Sequence, residues 1–210
     1  MDVKLISITP DIGDKIVEMA RVSSSRKDKT KDSERLLKYL IKHKHWSPFE
    51  MGNMALEIHT SKAIGIQLLR HRSFSFQEFS QRYADVNQFL EDNDSVFEPV
   101  SLRVQCENNR QSSMEDIENE ALIKEVINHR AATYMLYRKL INMGVSRETA
   151  RMELPMATTT KIYMNGSIRS WVHFLQVRDD EHAQLEVQHI AKKVKEILIE
   201  QVPVMAAAFN

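Results

Sequence analysis

Apolar side chains recur in this chain at two spacings, and the change from one to the other constrains the fold more than any other feature. Across Ser33–Lys44 (SERLLKYLIKHK), Leu36, Leu37, Leu40 and Ile41 return at three and four residues, the stripe of an amphipathic helix. Across Val3–Thr9 (VKLISIT) apolar and polar residues alternate instead, as in a half-buried strand, and Pro10 closes the run. The strand period returns where Met54, Leu56 and Ile58 alternate with Ala55, Glu57 and His59. TTTKIYM, ending at Met164, has the β-branched and aromatic content of another strand. Helices are predicted over Asp11–Val22, Ser61 to about His71, about Met114 to Asn142, Arg147–Leu154, Ser167–Val177 and Glu181–Gln201. The whole reads as a helix-rich α+β domain.

Punctuation residues refine these elements. Asp32 or Ser33 suits the cap of the second helix, and SPFE (Ser47–Glu50) has the spacing of a capping box with Pro48 at the first helical position. Gly144 is a C-terminal stop, Ser146 suits an N-cap, and Pro155 ends the short helix before it. Residues 91–120 are polar, acidic and turn-rich, and read as an insertion with a short strand near Val100–Val104. Neither an internal repeat nor a low-complexity tract interrupts the chain.

The 210 residues suffice for one domain with a substantial core. Lys+Arg and Asp+Glu both total 29, so the net charge is zero, which argues against a nucleic-acid coat or a polybasic membrane binder. The N-terminus lacks the pattern of a signal peptide, and the apolar runs are too short to span a bilayer. One cysteine, Cys106, permits no intrachain disulfide. The expectation is a soluble, cytoplasmic or otherwise intracellular protein.

Several chemistries are missing. No GxGxxG or P-loop pattern offers a phosphate cradle, and no CxxC, HExxH or His-Asp dipeptide offers a metal site. His43 and His45, two apart on a helix, would face different ways and make a poor metal pair. His182 follows Asp179, Asp180 and Glu181, an acid-rich corner that carboxylates at a helix N-terminus already explain. Acidic and polar neighbours argue against a nucleophilic Cys106.

What remains is arginine. Arg70, Arg72, Arg82, Arg147, Arg151, Arg169 and Arg178 lie near predicted element ends. Helix termini and solvated faces account for some of them; bidentate contacts to phosphate and an electron-rich ring are the other reading. Arg82 lies beyond its helix, and Arg178 follows the apolar WVHFLQV, so both fit the first reading poorly. In RHRSFSFQEFSQRY (Arg70–Tyr83), Phe74 and Phe76 share one face of an extended chain until Glu78 and Phe79 break the alternation. The expected structure is a loop that turns its aromatics inward and presents Glu78, Ser80 and Arg82 to a ligand, with an amphipathic connector as the alternative.

Arg70-His71-Arg72, then seven residues, then Ser80 resembles the signature of the flavin-dependent thymidylate synthases. ARVSS (Ala20–Ser24), HWSPFE (His45–Glu50), GVSRETARMELP (Gly144–Pro155) and RSWVHFLQVRDDEHAQLEVQ (Arg169–Gln188) resemble further blocks of that family, in the same order. The resemblance implies a single catalytic domain over residues 1–210, with a small central, mainly antiparallel sheet flanked by helices and a variable insertion at about 91–120. It implies a homotetramer whose active sites are shared between subunits. The implied reaction converts dUMP to dTMP, with 5,10-methylenetetrahydrofolate as carbon donor and tightly bound FAD passing hydride from NADPH. No metal, nucleic-acid partner or membrane is expected, and no enzyme thiolate is required.

Residue by residue, the resemblance assigns dUMP to Gln67, Arg70, Glu78, Ser80, Gln81, Arg82, Arg151 and Arg178, with Arg151 reaching the substrate from another subunit. It assigns FAD to His45, Ser47, Arg70, His71, Arg72, Glu78, Ser167, Arg169, His173 and His182. Arg178 is the expected catalytic residue, stabilising negative charge on the uracil ring without transferring a proton. Ser80 has no histidine placed in sequence to activate it, so it belongs to binding. The chain departs from the family pattern at Gln77, Ser167 and His173, each standing where asparagine is usual. The alternative from another class is a non-catalytic helical protein that binds nucleotides or RNA through its arginines; a third is a relative that binds flavin but not dUMP.

Overall fold

The computed structural model describes residues 1–22, 33–90 and 95–209. Strands β1 (Asp2–Ile8), β2 (Asn53–Ser61), β3 (Ser75–Glu78) and β6 (Thr159–Ser167) form a four-stranded sheet in the order β1-β2-β6-β3. Strands β4 (Arg103–Gln105) and β5 (Ser113–Asp116) pair antiparallel as a separate hairpin. The helices are α1 (Ile12–Ala20), α2 (Ser33–Lys42), α3 (Lys62–Leu68), α4 (Glu120–Asn142), α5 (Arg147–Ala150), α6 (Ile168–Arg178) and α7 (Leu185–Gln201). This is the expected α+β class, rich in helix with a small antiparallel sheet. None of the described helices is long and apolar enough to cross a membrane.

The chain divides into two compact units. One comprises Met1, His59–Arg70 and Gln77–Ile162; the other comprises Asp2–Ile58, His71–Phe76 and the chain from Tyr163 onward. In the second unit α6 packs on α7, α7 on β1, and α1 on α2. Its core includes Met54, Leu56, Met164, Ile168, Trp171 and Phe174, all fully buried. The Trp171 indole donates to the Met54 carbonyl at 2.9 Å, which satisfies the one polar atom of that side chain. Phe74 packs edge-on against Trp171, ring centroids 4.7 Å apart. A Cβ at Gly166 would stand 2.5 Å from the Phe74 ring, so only glycine admits this packing.

In the first unit α4 packs on α5 and on the 3-10 turn Arg151–Glu153. Tyr137 of α4 is fully buried with Val86, Val96 and Ala150. Gly144, at φ +85°, ends this helical stretch in the left-handed conformation that glycine tolerates.

Tertiary contacts shifted several predicted boundaries. SPFE forms a 3-10 turn without a side-chain cap bond, because the Glu50 carboxylate is engaged elsewhere. The long helix begins at Glu120, not Met114, since residues 113–116 pair with β4. Residues 147–154 split into α5 and a 3-10 turn, and the Ser146 hydroxyl pairs with that of Thr149 instead of capping. The α3 helix stops at Leu68, and α7 starts at Leu185, later than Glu181. His43 and His45 lie in the turn after α2, where Lys44 has φ 55°, so they are not helix neighbours. Residues 75–78 make a short strand where a loop was expected. Asp32, Ser23 and Ser24, and residues 91–94 of the insertion, lie outside the described residues.

Candidate active site

In the second unit the first turn of α6 organises the expected flavin contacts. Ser167 is its N-cap: the hydroxyl oxygen accepts from the Ser170 amide at 3.2 Å and the hydroxyl proton goes to Glu50 Oε2 at 2.5 Å. Glu50 Oε1 accepts from Arg169 Nη1 at 2.8 Å, so one carboxylate holds both residues. The Ser170 hydroxyl donates to the Ser73 carbonyl at 3.3 Å, which brings the residue after Arg72 to the same helix end. Arg169, His173 and Gln176 follow at helical spacing on one face of α6. With Trp46, Glu50 and Ser73 they line a cavity of about 460 Å³. A larger cavity, about 930 Å³ between Pro10–Asp14, the start of α2 and residues 201–207, contains none of the expected site residues.

His71 and Arg178 meet in this unit. Arg178 Nε donates to His71 Nε2 at 2.9 Å, and the imidazole lies edge-on to Phe174, centroids 5.0 Å apart. Burial lowers the His71 pKa to about 4, with further lowering from the charges of Arg178 and His173. The ring is therefore neutral near pH 7 and its Nε2 lone pair is the acceptor. Burial also lowers the Arg178 pKa from its ordinary value.

The other expected flavin residues of this unit lie toward solvent. His45 and Ser47 are exposed, the His45 ring standing 5.9 Å from that of Tyr39. Arg72 is exposed. His182 is exposed and held by Asp180, whose carboxylate accepts from both its amide and its Nδ1 at 2.8 Å.

The first unit carries most of the expected dUMP contacts. Gln67 lies on α3, with Arg70 exposed just beyond its end. Glu78, at the end of β3, accepts through Oε1 from Lys62 Nζ at 2.7 Å and from the Thr160 hydroxyl at 2.9 Å. Ser80 opens a tight turn: its carbonyl accepts from the amides of Tyr83 and Ala84, each at 3.0 Å. Gln81 is 6% exposed, and its side-chain Nε2 has no hydrogen-bond partner. A buried amide donor left unmet is costly, and a ligand acceptor would satisfy it. Arg82 lies 3.6 Å from the Glu148 carboxylate, and Arg151 Nε donates to the Glu148 carbonyl at 3.3 Å.

Spacing alone did not reveal Glu50, Lys62, Thr160 or Glu148 as partners of the expected site residues. Glu50 carried a signal, an acid three residues after Ser47, but the capping box explained it locally. The others reach their partners through the fold.

Residues 4–204 match the family described as thymidylate synthase complementing protein, Thy1. Over 223 residues the chain is 39% identical to the probable flavin-dependent thymidylate synthase of Paramecium bursaria Chlorella virus 1, spanning 100% of this chain and 99% of that one. It is also 39% identical, over 225 residues and 100% of both chains, to the flavin-dependent thymidylate synthase of Synechocystis. The corresponding enzyme of Thermus thermophilus is 34% identical over 216 residues, covering 100% of this chain and 77% of the relative. Among solved structures, a UMP/dUMP methylase, PolB, from Streptomyces cacaoi bound with 5-Br dUMP superposes with a TM-score of 0.83. It is 24% identical and covers 99% of this chain and 93% of its own, a likeness of fold.

Proposed function

The chain belongs to the thymidylate synthase complementing protein family, and we propose that it is a flavin-dependent thymidylate synthase. It converts dUMP to dTMP with 5,10-methylenetetrahydrofolate as carbon donor and NADPH as the source of hydride. The observation that carries this reading is identity of 39% along the full length of flavin-dependent thymidylate synthases.

The residues of the α6 cavity suit FAD. A guanidinium, an imidazole, an amide and an indole offer charge for a pyrophosphate, hydrogen-bonding groups for a ring system and an aromatic wall. The volume, about 460 Å³, falls in the range of small-molecule sites. FAD held there would supply the redox chemistry, as the hydride carrier between NADPH and the substrate. His45, Ser47, Arg70, His71, Arg72, Glu78, Ser167, Arg169, His173 and His182 are its proposed contacts. Ser167 takes part through the helix end it caps, because its hydroxyl already serves Glu50 and Ser170.

Gln67, Arg70, Glu78, Ser80, Gln81, Arg82 and Arg151 are proposed to bind dUMP. The guanidinium of Arg82 takes an anionic group of the nucleotide, and the unpartnered amide of Gln81 gives a donor to it. Arg178 stabilises charge that develops on the uracil ring, and neutral His71 keeps its guanidinium oriented. We further propose that residues 1–210 act as one catalytic domain, that four chains assemble with Arg151 serving a neighbouring subunit's site, and that the enzyme works in the cytoplasm.

Tritium release from [5-³H]dUMP, measured with methylenetetrahydrofolate, NADPH and FAD, tests the reading. Release that requires all four components is expected; a colourless protein that neither binds FAD nor releases tritium would overturn it.

A further inference from the structure

We propose that Asp85 is a positioning residue for the loop Ser80–Arg82, clamped to α4 by Tyr137 and Tyr134. The inference deepens the proposed function, since it rests on that loop binding dUMP. The turn that starts at Ser80 runs directly into Asp85. Asp85 Oδ1 accepts from the Asn87 amide at 3.0 Å and from the Tyr137 hydroxyl at 3.3 Å, and Oδ2 lies 3.8 Å from Arg138 Nη1. The Tyr134 hydroxyl donates to Asn87 Oδ1. One carboxylate thus collects a backbone amide of its own loop and two side chains of α4. Between these anchors Val86 is fully buried in the cluster that contains Tyr137.

Tyr137 is among the largest fully buried side chains, and a buried phenol requires an acceptor. Burial, then the Asp85 charge, holds its pKa above the ordinary value, so it remains a donor throughout the working pH range. The aromatic ring alone would suffice to fill the core, whereas the hydroxyl fixes where Asp85 sits. Ser80, Gln81 and Arg82 precede Asp85 by only three to five residues. Arg82 itself is exposed and tethered only loosely to Glu148. Holding the loop before the nucleotide arrives removes an ordering cost from binding.

The test uses the full-length, FAD-loaded enzyme. Tyr137→Phe should raise the KM for dUMP about five- to tenfold, the loss expected for one hydrogen bond or a little more. The value of kcat should stay within about twofold, and FAD content should not change. Asp85→Asn should act in the same direction, and Tyr134→Phe more weakly. If the clamp works through Arg82, adding Tyr137→Phe to Arg82→Ala should cost little more. The clamp is overturned if dUMP KM is unchanged in both Tyr137→Phe and Asp85→Asn. Parallel losses of kcat and FAD, or full additivity with Arg82→Ala, overturn it equally by revealing a general structural role. Should Tyr137→Phe not fold, Asp85→Asn and Tyr134→Phe decide by the same criteria. A wild-type enzyme that neither binds nor turns over dUMP would instead remove the proposed function, and the clamp with it.

Discussion

Arg178 Nε donates a hydrogen bond to His71 Nε2 across 2.9 Å, and the two residues are 107 positions apart in the chain. The contact requires a histidine that has not taken up a proton, and the surroundings ensure this. Burial lowers its pKa to about 4, and the neighbouring charges of Arg178 and His173 add to the effect. A guanidinium that cannot lose its proton is thereby held by an imidazole that resists gaining one.

The pH dependence follows in sign. The folded pKa is about 4, below the ~6.5 of an unfolded histidine, so the unfolded chain binds the additional proton between these values. The contribution of His71 to stability is complete above about pH 6.5 and is lost as pH falls toward the folded value. Melting temperatures from pH 7.5 to 4 should therefore drop more steeply for wild type than for His71→Gln. Parallel curves would contradict a buried neutral His71.

Arg178→Lys keeps the charge but loses the fork that can hold His71 and still offer donors to a ring. It should lower kcat for dTMP formation roughly 100-fold, the scale of losing one electrostatic stabiliser, and Arg178→Ala should abolish turnover. Both variants should retain FAD and a wild-type circular dichroism spectrum. Near-normal tritium release from either would end the catalytic assignment.

Glu148 lies 3.6 Å from Arg82, so with Arg82 in its proposed role the carboxylate would compete with the anionic group of dUMP for the guanidinium. Because both side chains are largely exposed, the pair adds little to stability. Glu148→Gln should tighten dUMP binding by about two- to fivefold at low salt, and the gain should shrink as salt screens it. Titration calorimetry at two ionic strengths measures both effects; unchanged affinity at low salt would separate Glu148 from the nucleotide.

Gly166→Ala forces a methyl group to within 2.5 Å of the Phe74 ring. Phe74 packs on Trp171 and, at 6.2 Å, on His71, so a shift of its ring disturbs both contacts. Overpacking of this kind should cost about 1–3 kcal/mol, readable from the urea midpoint with an unchanged slope. A wild-type midpoint would mean that Phe74 relocates freely.

Much of the fold was legible because it is written in short periods. The three-and-four stripe of α2 and the alternation of β2 report their elements directly, since each period maps onto one helix or strand geometry. SPFE shows where such reading stops. Its local pattern matches a capping box, yet Glu50 turns to Ser167 and Arg169, 117 and 119 residues further on. The onset of α4 was obscured in the same way, because the pairing of β5 with β4 claims residues that could otherwise have begun the helix.

By itself, the sequence determined the α+β class, the family to which the chain belongs and the set of arginines and carboxylates available for chemistry, since periodicity and ordered blocks are properties of the linear chain. Only the tertiary structure decided that His71 is neutral, that Arg178 is tied to it, that Gln81 is buried without a partner and that Asp85 is clamped from α4. The physical reason is the same in each case. Protonation, side-chain orientation and hydrogen-bond satisfaction depend on which groups exclude water and which charges stand nearby, and those neighbours come from distant parts of the chain.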